Sequence, residues 1–289
     1  MSDDPPIGLI AGEGSLPLLV AQGMRAAGRT IVGLSIAGIH DPAVEPFCSR
    51  FETAPLLRLG CWAARLRRMG ARQAVMVGRV NKARTMHAGS RLLRMIREAP
   101  DLTTALVWYR RLRHDRRSPA ILAAVADTLA SQGVPLIDST TFIPDHLASP
   151  GAMTRRAPSA AQLSDLAFAV PILDSILALN IGQAIAVRDK DVVAVEAVEG
   201  TDRMIERAGA LCPRGGWTLL KACRPDHDRR ADVPTIGEAT VRKAHAAGCA
   251  CIALRAGDVI LLDKPAVLRL ADDLGIPIVG FPRPAPAAP

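Results

Sequence analysis

The chain has 289 residues, 49% of them hydrophobic and 22% charged, so it can bury a sizeable core and is not a disordered polyelectrolyte. A net charge of +8 suits an acidic partner, yet aromatic residues make up only 3% of the chain. Only Trp108 and Tyr109 interleave the arginines between Arg91 and Arg117, which argues against a base-stacking nucleic-acid surface and leaves a phosphorylated small molecule or an anionic membrane surface.

Met1 to Pro6 is acidic and proline-bearing where a signal peptide needs basic residues and then an apolar core, so a cytoplasmic protein is expected. No apolar run reaches the roughly 18 residues that read as a membrane span. Ile7 to Ala11 then predicts a strand, Leu16 to Ala27 a helix, and Thr30 to Ile36 a strand. Cys61 to Met69 predicts a helix and Gln73 to Val77 a strand; helical spacing covers Arg91 to Arg113 and Pro119 to Gln132, before a last strand at Val134 to Asp138. Such βαβ alternation implies a Rossmann-like parallel-sheet domain over residues 1–138.

Residues 139–159 carry Pro144, Pro150, Gly151 and Pro158 among scattered Ser and Thr, and read as a linker. Beyond it Ala160 to Leu179 is helical, and Gln183 to Val187 with Val192 to Ala197 reads as a hairpin around Arg188-Asp189-Lys190-Asp191. A second hairpin is expected from Cys251 to Leu254 and Val259 to Leu262. Residues 160–281 therefore predict an α+β domain with a mixed sheet, followed by a disordered proline/alanine tail at 282–289. The six cysteines have no paired spacing; Cys249 and Cys251 point to one face of a strand and read as buried free thiols.

Gly12 and Gly14 lie where the first strand meets the first helix, a place where backbone N–H groups can close on a phosphate. Pro17 stands where a dinucleotide fingerprint has its third glycine, and no acid ends the second strand, so a nicotinamide oxidoreductase is disfavoured. The histidines are scattered, with no Gly-x-Ser-x-Gly elbow and no His-x-x-x-His pair. What remains is carboxylate chemistry. Asp228, Asp232, Glu199 and Asp202 are hard oxygen ligands suited to magnesium, and Lys221 and Arg230 can neutralise phosphate charge. The alternative for Arg230 to Gly237 is a solvated charged turn.

Gly8-Leu-Ile-Ala-Gly-Glu-Gly-Ser-Leu-Pro17, Ile181-Gly-Gln183, Val195-Glu-Ala-Val-Glu-Gly-Thr-Asp202, Asp228-Arg-Arg-Ala-Asp-Val-Pro-Thr-Ile-Gly237, Ala271-Asp-Asp-Leu-Gly275 and Ile278-Val-Gly280 occur in one order along nearly the whole chain. In that order and spacing the chain resembles the LpxI-type UDP-2,3-diacylglucosamine pyrophosphatases. The resemblance implies a two-domain enzyme of lipid A synthesis that uses Mg2+ and water to split UDP-2,3-diacylglucosamine into UMP and 2,3-diacylglucosamine 1-phosphate. It implies that loss of Asp232 abolishes catalysis and that attack falls on the phosphorus attached to the sugar.

On this reading Asp232, Asp228, Arg230 and Lys221 are catalytic, and Asp232 and Asp228 hold the metal. Gly12, Gly14, Gln183, Glu199, Gly200, Thr201 and Asp202 bind substrate, with both halves of the chain expected to face a common cleft. The leucine- and alanine-rich stretch Leu166 to Leu179 could line an acyl chamber or be a plain core helix. Contact with the inner membrane and homodimer formation are left open. Two rivals remain: a non-catalytic nucleotide-binding regulatory protein, and a nicotinamide-dependent oxidoreductase.

Overall fold

The computed structural model describes residues 4–79, 99–115, 117–224, 226–230 and 233–283. They form two compact units: Met1–Ile143 with the short segment Asp228–Asp232, and Pro144–His227 with Val233–Pro289. The expected linker is thus divided, its first five residues belonging to the first unit.

In the first unit, β1 (Ile7–Ala11), β2 (Ile31–Ile36), β3 (Arg50–Ala54) and β4 (Ala74–Val77) make a parallel sheet in the order β3-β2-β1-β4. Every residue of β1 and β2 is buried, as expected of central parallel strands covered on both faces. The covering helices are α1 (Leu16–Ala26), α2 (Leu59–Arg68), α3 (Leu102–Val107), which runs into a π-turn at Trp108–Leu112, and α4 (Ser118–Ser131). Gly23 on α1 lets the Phe142 carbonyl approach so closely that a Cβ would sit 2.0 Å from its oxygen. The expected strand at Val134 to Asp138 shrinks to one parallel bridge, Leu136 with Ala74, because Asp138 turns away to bond Thr140 and Arg229.

The second unit is built on a mixed six-stranded sheet, β5-β12-β10-β8-β6-β7. Its strands are β5 (Gly151–Ala152), β6 (Ala184–Arg188), β7 (Asp191–Val195), β8 (Trp217–Lys221), β10 (Cys249–Arg255) and β12 (Ile278–Phe281). Alternation sends Trp217, Leu219, Ile252 and Leu254 into one core, with α6 (Thr201–Leu211), α7 (Glu238–Ala246) and α8 (Lys264–Asp273). Ile185, Leu220, Ala253 and Phe281 enter the opposite core against α5 (Ala160–Ala178). The β6–β7 hairpin forms as expected, through Asp189 and Lys190 at φ 54° and 59°. That is the paired positive φ of a tight hairpin turn, and the buried Asp165 carboxylate on α5 accepts both turn N–H groups at 3.1 and 2.8 Å.

The second expected hairpin does not form. β10 is a central strand flanked in parallel by β8 and β12, and Ile260–Leu261 (β11) instead pairs in parallel with Thr235–Ile236 (β9). Both edges of β10 are already taken by β8 and β12, so Ile260–Leu261 finds its partner elsewhere.

Among the described residues α5 is the helix with the length and composition to cross a membrane. One of its faces packs on the sheet through Ala169, Leu173, Ile176 and Leu177, and Asp174 pairs with the buried Arg255.

Candidate active site

Asp228 and Arg230, predicted as neighbours, lie in the first unit with Gly12 and Gly14. Arg230 forks onto Asp228, Nε donating at 2.9 Å to Oδ1 and Nη2 at 2.7 Å to Oδ2. It reaches Asp127 on α4 at 3.4 Å, and Asp127 also accepts from Arg111 at 2.6 Å. The hydrogen bonds it donates to Asp228 hold the Arg230 guanidinium above its ordinary pKa, so it stays charged. Arg229 ties the segment down: Nε donates to Asp138 at 2.7 Å and Nη2 to the Thr140 hydroxyl at 2.7 Å. Burial raises the Asp138 carboxyl, but the bonds from Thr140 and Arg229 outweigh it and leave the group lowered.

The N–H groups of Gly12 and Glu13 donate to Val77 and Arg79 carbonyls at 2.9 and 2.8 Å, which commits them to β4. A Cβ at Gly12 would lie 2.7 Å from the Arg79 oxygen, so this glycine serves close backbone packing. Gly14, at φ 98°, has open space around it.

Lys221, a few residues before Asp228 in sequence, was grouped with it as a base able to hold phosphate. It is instead the last residue of β8 in the second unit, 4% exposed, with Nζ donating at 2.7 Å to the Thr201 hydroxyl. Thr201 opens α6, and its hydroxyl donates at 3.0 Å to Glu196 Oε1. Gly200 caps that helix at φ 82° with no side chain over it. Glu196 is 5% exposed, and its Oε2 is buried without a hydrogen-bond partner. Burial drives its carboxyl above the ordinary range; the Lys221 charge and bonds from Thr201 and the Gln183 backbone pull the other way without cancelling it.

Sequence reasoning missed Glu196, although the two-residue step from buried Ala194 places it on an inward face. The remaining nominees occupy more exposed positions. Glu199 is held by Arg207 at 2.5 Å and Asp202 by Lys243 at 2.5 Å, while Gln183 accepts from Ala222 N at 3.0 Å through its carbonyl. Asp226 pairs with Arg224 at 2.6 Å. Asp232 lies outside the described residues.

Among the described residues no three His, Cys, Asp or Glu side chains gather into a metal cage. Magnesium does not require one: a pair of carboxylates with water and substrate phosphate oxygens completes its shell. Asp228 fits that chemistry as a hard oxygen donor whose side chain is 41% exposed.

Residues 6–146 match the family described as the LpxI N-terminal domain, and residues 149–279 match the LpxI C-terminal domain. The chain is also similar to UDP-2,3-diacylglucosamine pyrophosphatase LpxI of Caulobacter vibrioides. The two are 30% identical over 281 residues, covering 95% of this chain and 96% of that protein.

Proposed function

The chain belongs to the LpxI family, and from that premise we propose that it hydrolyses the diphosphate of UDP-2,3-diacylglucosamine, releasing UMP and 2,3-diacylglucosamine 1-phosphate for lipid A synthesis. The observation that carries the reading is the buried Lys221 ammonium bonded to the first residue of an α-helix, a fixed positive site at a helix N-terminus where phosphoryl oxygens are stabilised. A diphosphate resists water because its oxygens repel the nucleophile. Lys221, held at the start of α6, offsets that charge.

Asp232 orients the attacking water or shares a magnesium ion with Asp228. The ion, when bound, would neutralise phosphate charge. Gln183, Glu199 and Asp202 line the approach to the lipid nucleotide. Ile181, beside the Gly182 that packs on the Glu196 carbonyl, and Val198, two residues after Glu196, are 46% and 103% exposed and suit the apolar part of the substrate, as does the outer face of α5. The net charge of +8 suits work at an anionic cytoplasmic leaflet, which co-sedimentation with anionic but not neutral vesicles would register.

The deciding experiment incubates purified protein with UDP-2,3-diacylglucosamine in 18O-labelled water. UMP release with the label in the lipid phosphate is expected; UDP release, or no turnover, refutes the proposal, and label in UMP refutes attack at the sugar phosphorus.

A further inference from the structure

We infer that Glu196 is a positioning residue for hydrolysis, its buried carboxylate fixing the Thr201 hydroxyl and, through it, the Lys221 ammonium at the start of α6. The inference rests on the reading that Lys221 neutralises phosphate charge. A hydroxyl has one proton and two lone pairs. With Thr201 donating at 3.0 Å to Glu196, a lone pair is left to accept from Lys221 at 2.7 Å, and the direction of the chain is set. Lys221 thus enters the chain as a donor, its proton kept on the ammonium. Without the carboxylate the hydroxyl is free to rotate, and its contact no longer fixes the ammonium.

The burial of Glu196 is otherwise costly. A 5% exposed carboxyl with one oxygen unpartnered is kept at a desolvation penalty that an apolar residue there would avoid. The backbone holds it tightly as well: a Cβ at Gly182 would lie 2.0 Å from the Glu196 carbonyl oxygen, so the turn before β6 is shaped around it. The charged groups facing it are Lys221 from β8 and Glu199 from the turn into α6, with Thr201 and the Gln183 backbone as its hydrogen-bond donors. Burial raises its carboxyl above the ordinary range, against the pull of the Lys221 charge and the Thr201 bond.

The test measures UMP release by the full-length protein and by Glu196→Gln, Thr201→Val, Thr201→Ser and the double variant Glu196→Gln/Thr201→Val, each checked by circular dichroism. Glu196→Gln and Thr201→Val should each lower kcat on the order of 10²-fold, the scale of a misplaced catalytic group, with KM changing far less. The double variant should lose no more than either single one, because one chain is broken twice. Thr201→Ser should recover most of the turnover, and Glu196→Gln should lose an acid limb that the parent pH profile shows.

Wild-type kcat in Glu196→Gln, losses that multiply in the double variant, or equal activity of Thr201→Val and Thr201→Ser would overturn the inference. If Glu196→Gln fails to fold, the comparison of Thr201→Val with Thr201→Ser decides it. An unmodified protein that releases no UMP would overturn the proposed function first, and the inference with it.

Discussion

Arg230 reaches back two residues to grip Asp228 from one side, Nε at 3.0 Å and Nη2 at 2.7 Å from the same Oδ2. The pair is a third or more exposed, so its contribution to stability is small, ~0–1 kcal/mol for ion pairs of this kind. Its geometry matters more, since Asp228 decides where the Arg230 charge points. Asp228→Ala should therefore leave the thermal midpoint nearly unchanged and lower kcat for UMP release at least tenfold. An unchanged kcat would place the pair outside the reaction.

Asp232→Ala should remove turnover while the circular dichroism spectrum stays that of the parent. Losing a group that orients water or metal raises the barrier by several kcal/mol, each ~1.4 kcal/mol being a factor of ten. Near-normal activity in that variant would sink the assignment of the 228–232 segment to the chemistry.

Exhaustive chelation should stop UMP release, and magnesium should restore it better than zinc. The acidic nominees are hard oxygen donors, which suit magnesium better than a softer ion, and among the described residues no three His, Cys, Asp or Glu side chains form a cage. Full activity in a large excess of chelator would count against any metal.

The alternating strands and helices of the first unit were legible in the sequence because β1 and β2 are continuous apolar runs, the mark of strands buried on both faces. β3 was not. Arg50–Ala54 is an edge strand whose Glu52 pairs with Arg65 and Arg68 at 3.3 and 2.8 Å, so its polarity hides its pairing. Lys221 was nominated as a phosphate ligand through its nearness in sequence to Asp228. The structure makes it the end of a buried strand, a distinction that depends on which strands flank β8 and that no local pattern contains. Glu196 was overlooked although it lies in the run Val192 to Ala197 read as a strand; its alternation with buried Ala194 was the one signal that marked it as inward.

Cys249 and Cys251 should resist thiol reagents in the folded protein at pH 8. Burial pushes each thiol up to about 12, and Cys48 to about 11, so almost no thiolate is present to react. The half-buried Cys61 and Cys212 should react first, and all six only after denaturation. Rapid native labelling of Cys249 or Cys251, located by peptide mass mapping, would contradict their placement on β10.

Glu196→Gln should raise thermal stability at neutral pH even as it slows turnover. Burial, the largest influence on Glu196, lifts its folded pKa above the value in the unfolded chain. Below the unfolded value both states carry the proton and the side chain resembles glutamine. As pH rises from there through the folded pKa, the unfolded chain releases its proton more readily, and the parent loses stability that the glutamine variant keeps. The gap between the two melting temperatures should therefore be small at acid pH, widen as Glu196 titrates, and level off above its folded pKa. A gap independent of pH would mean that Glu196 ionises in the fold as it does in water, and the buried carboxylate would then carry no charge penalty for the Thr201–Lys221 chain to justify.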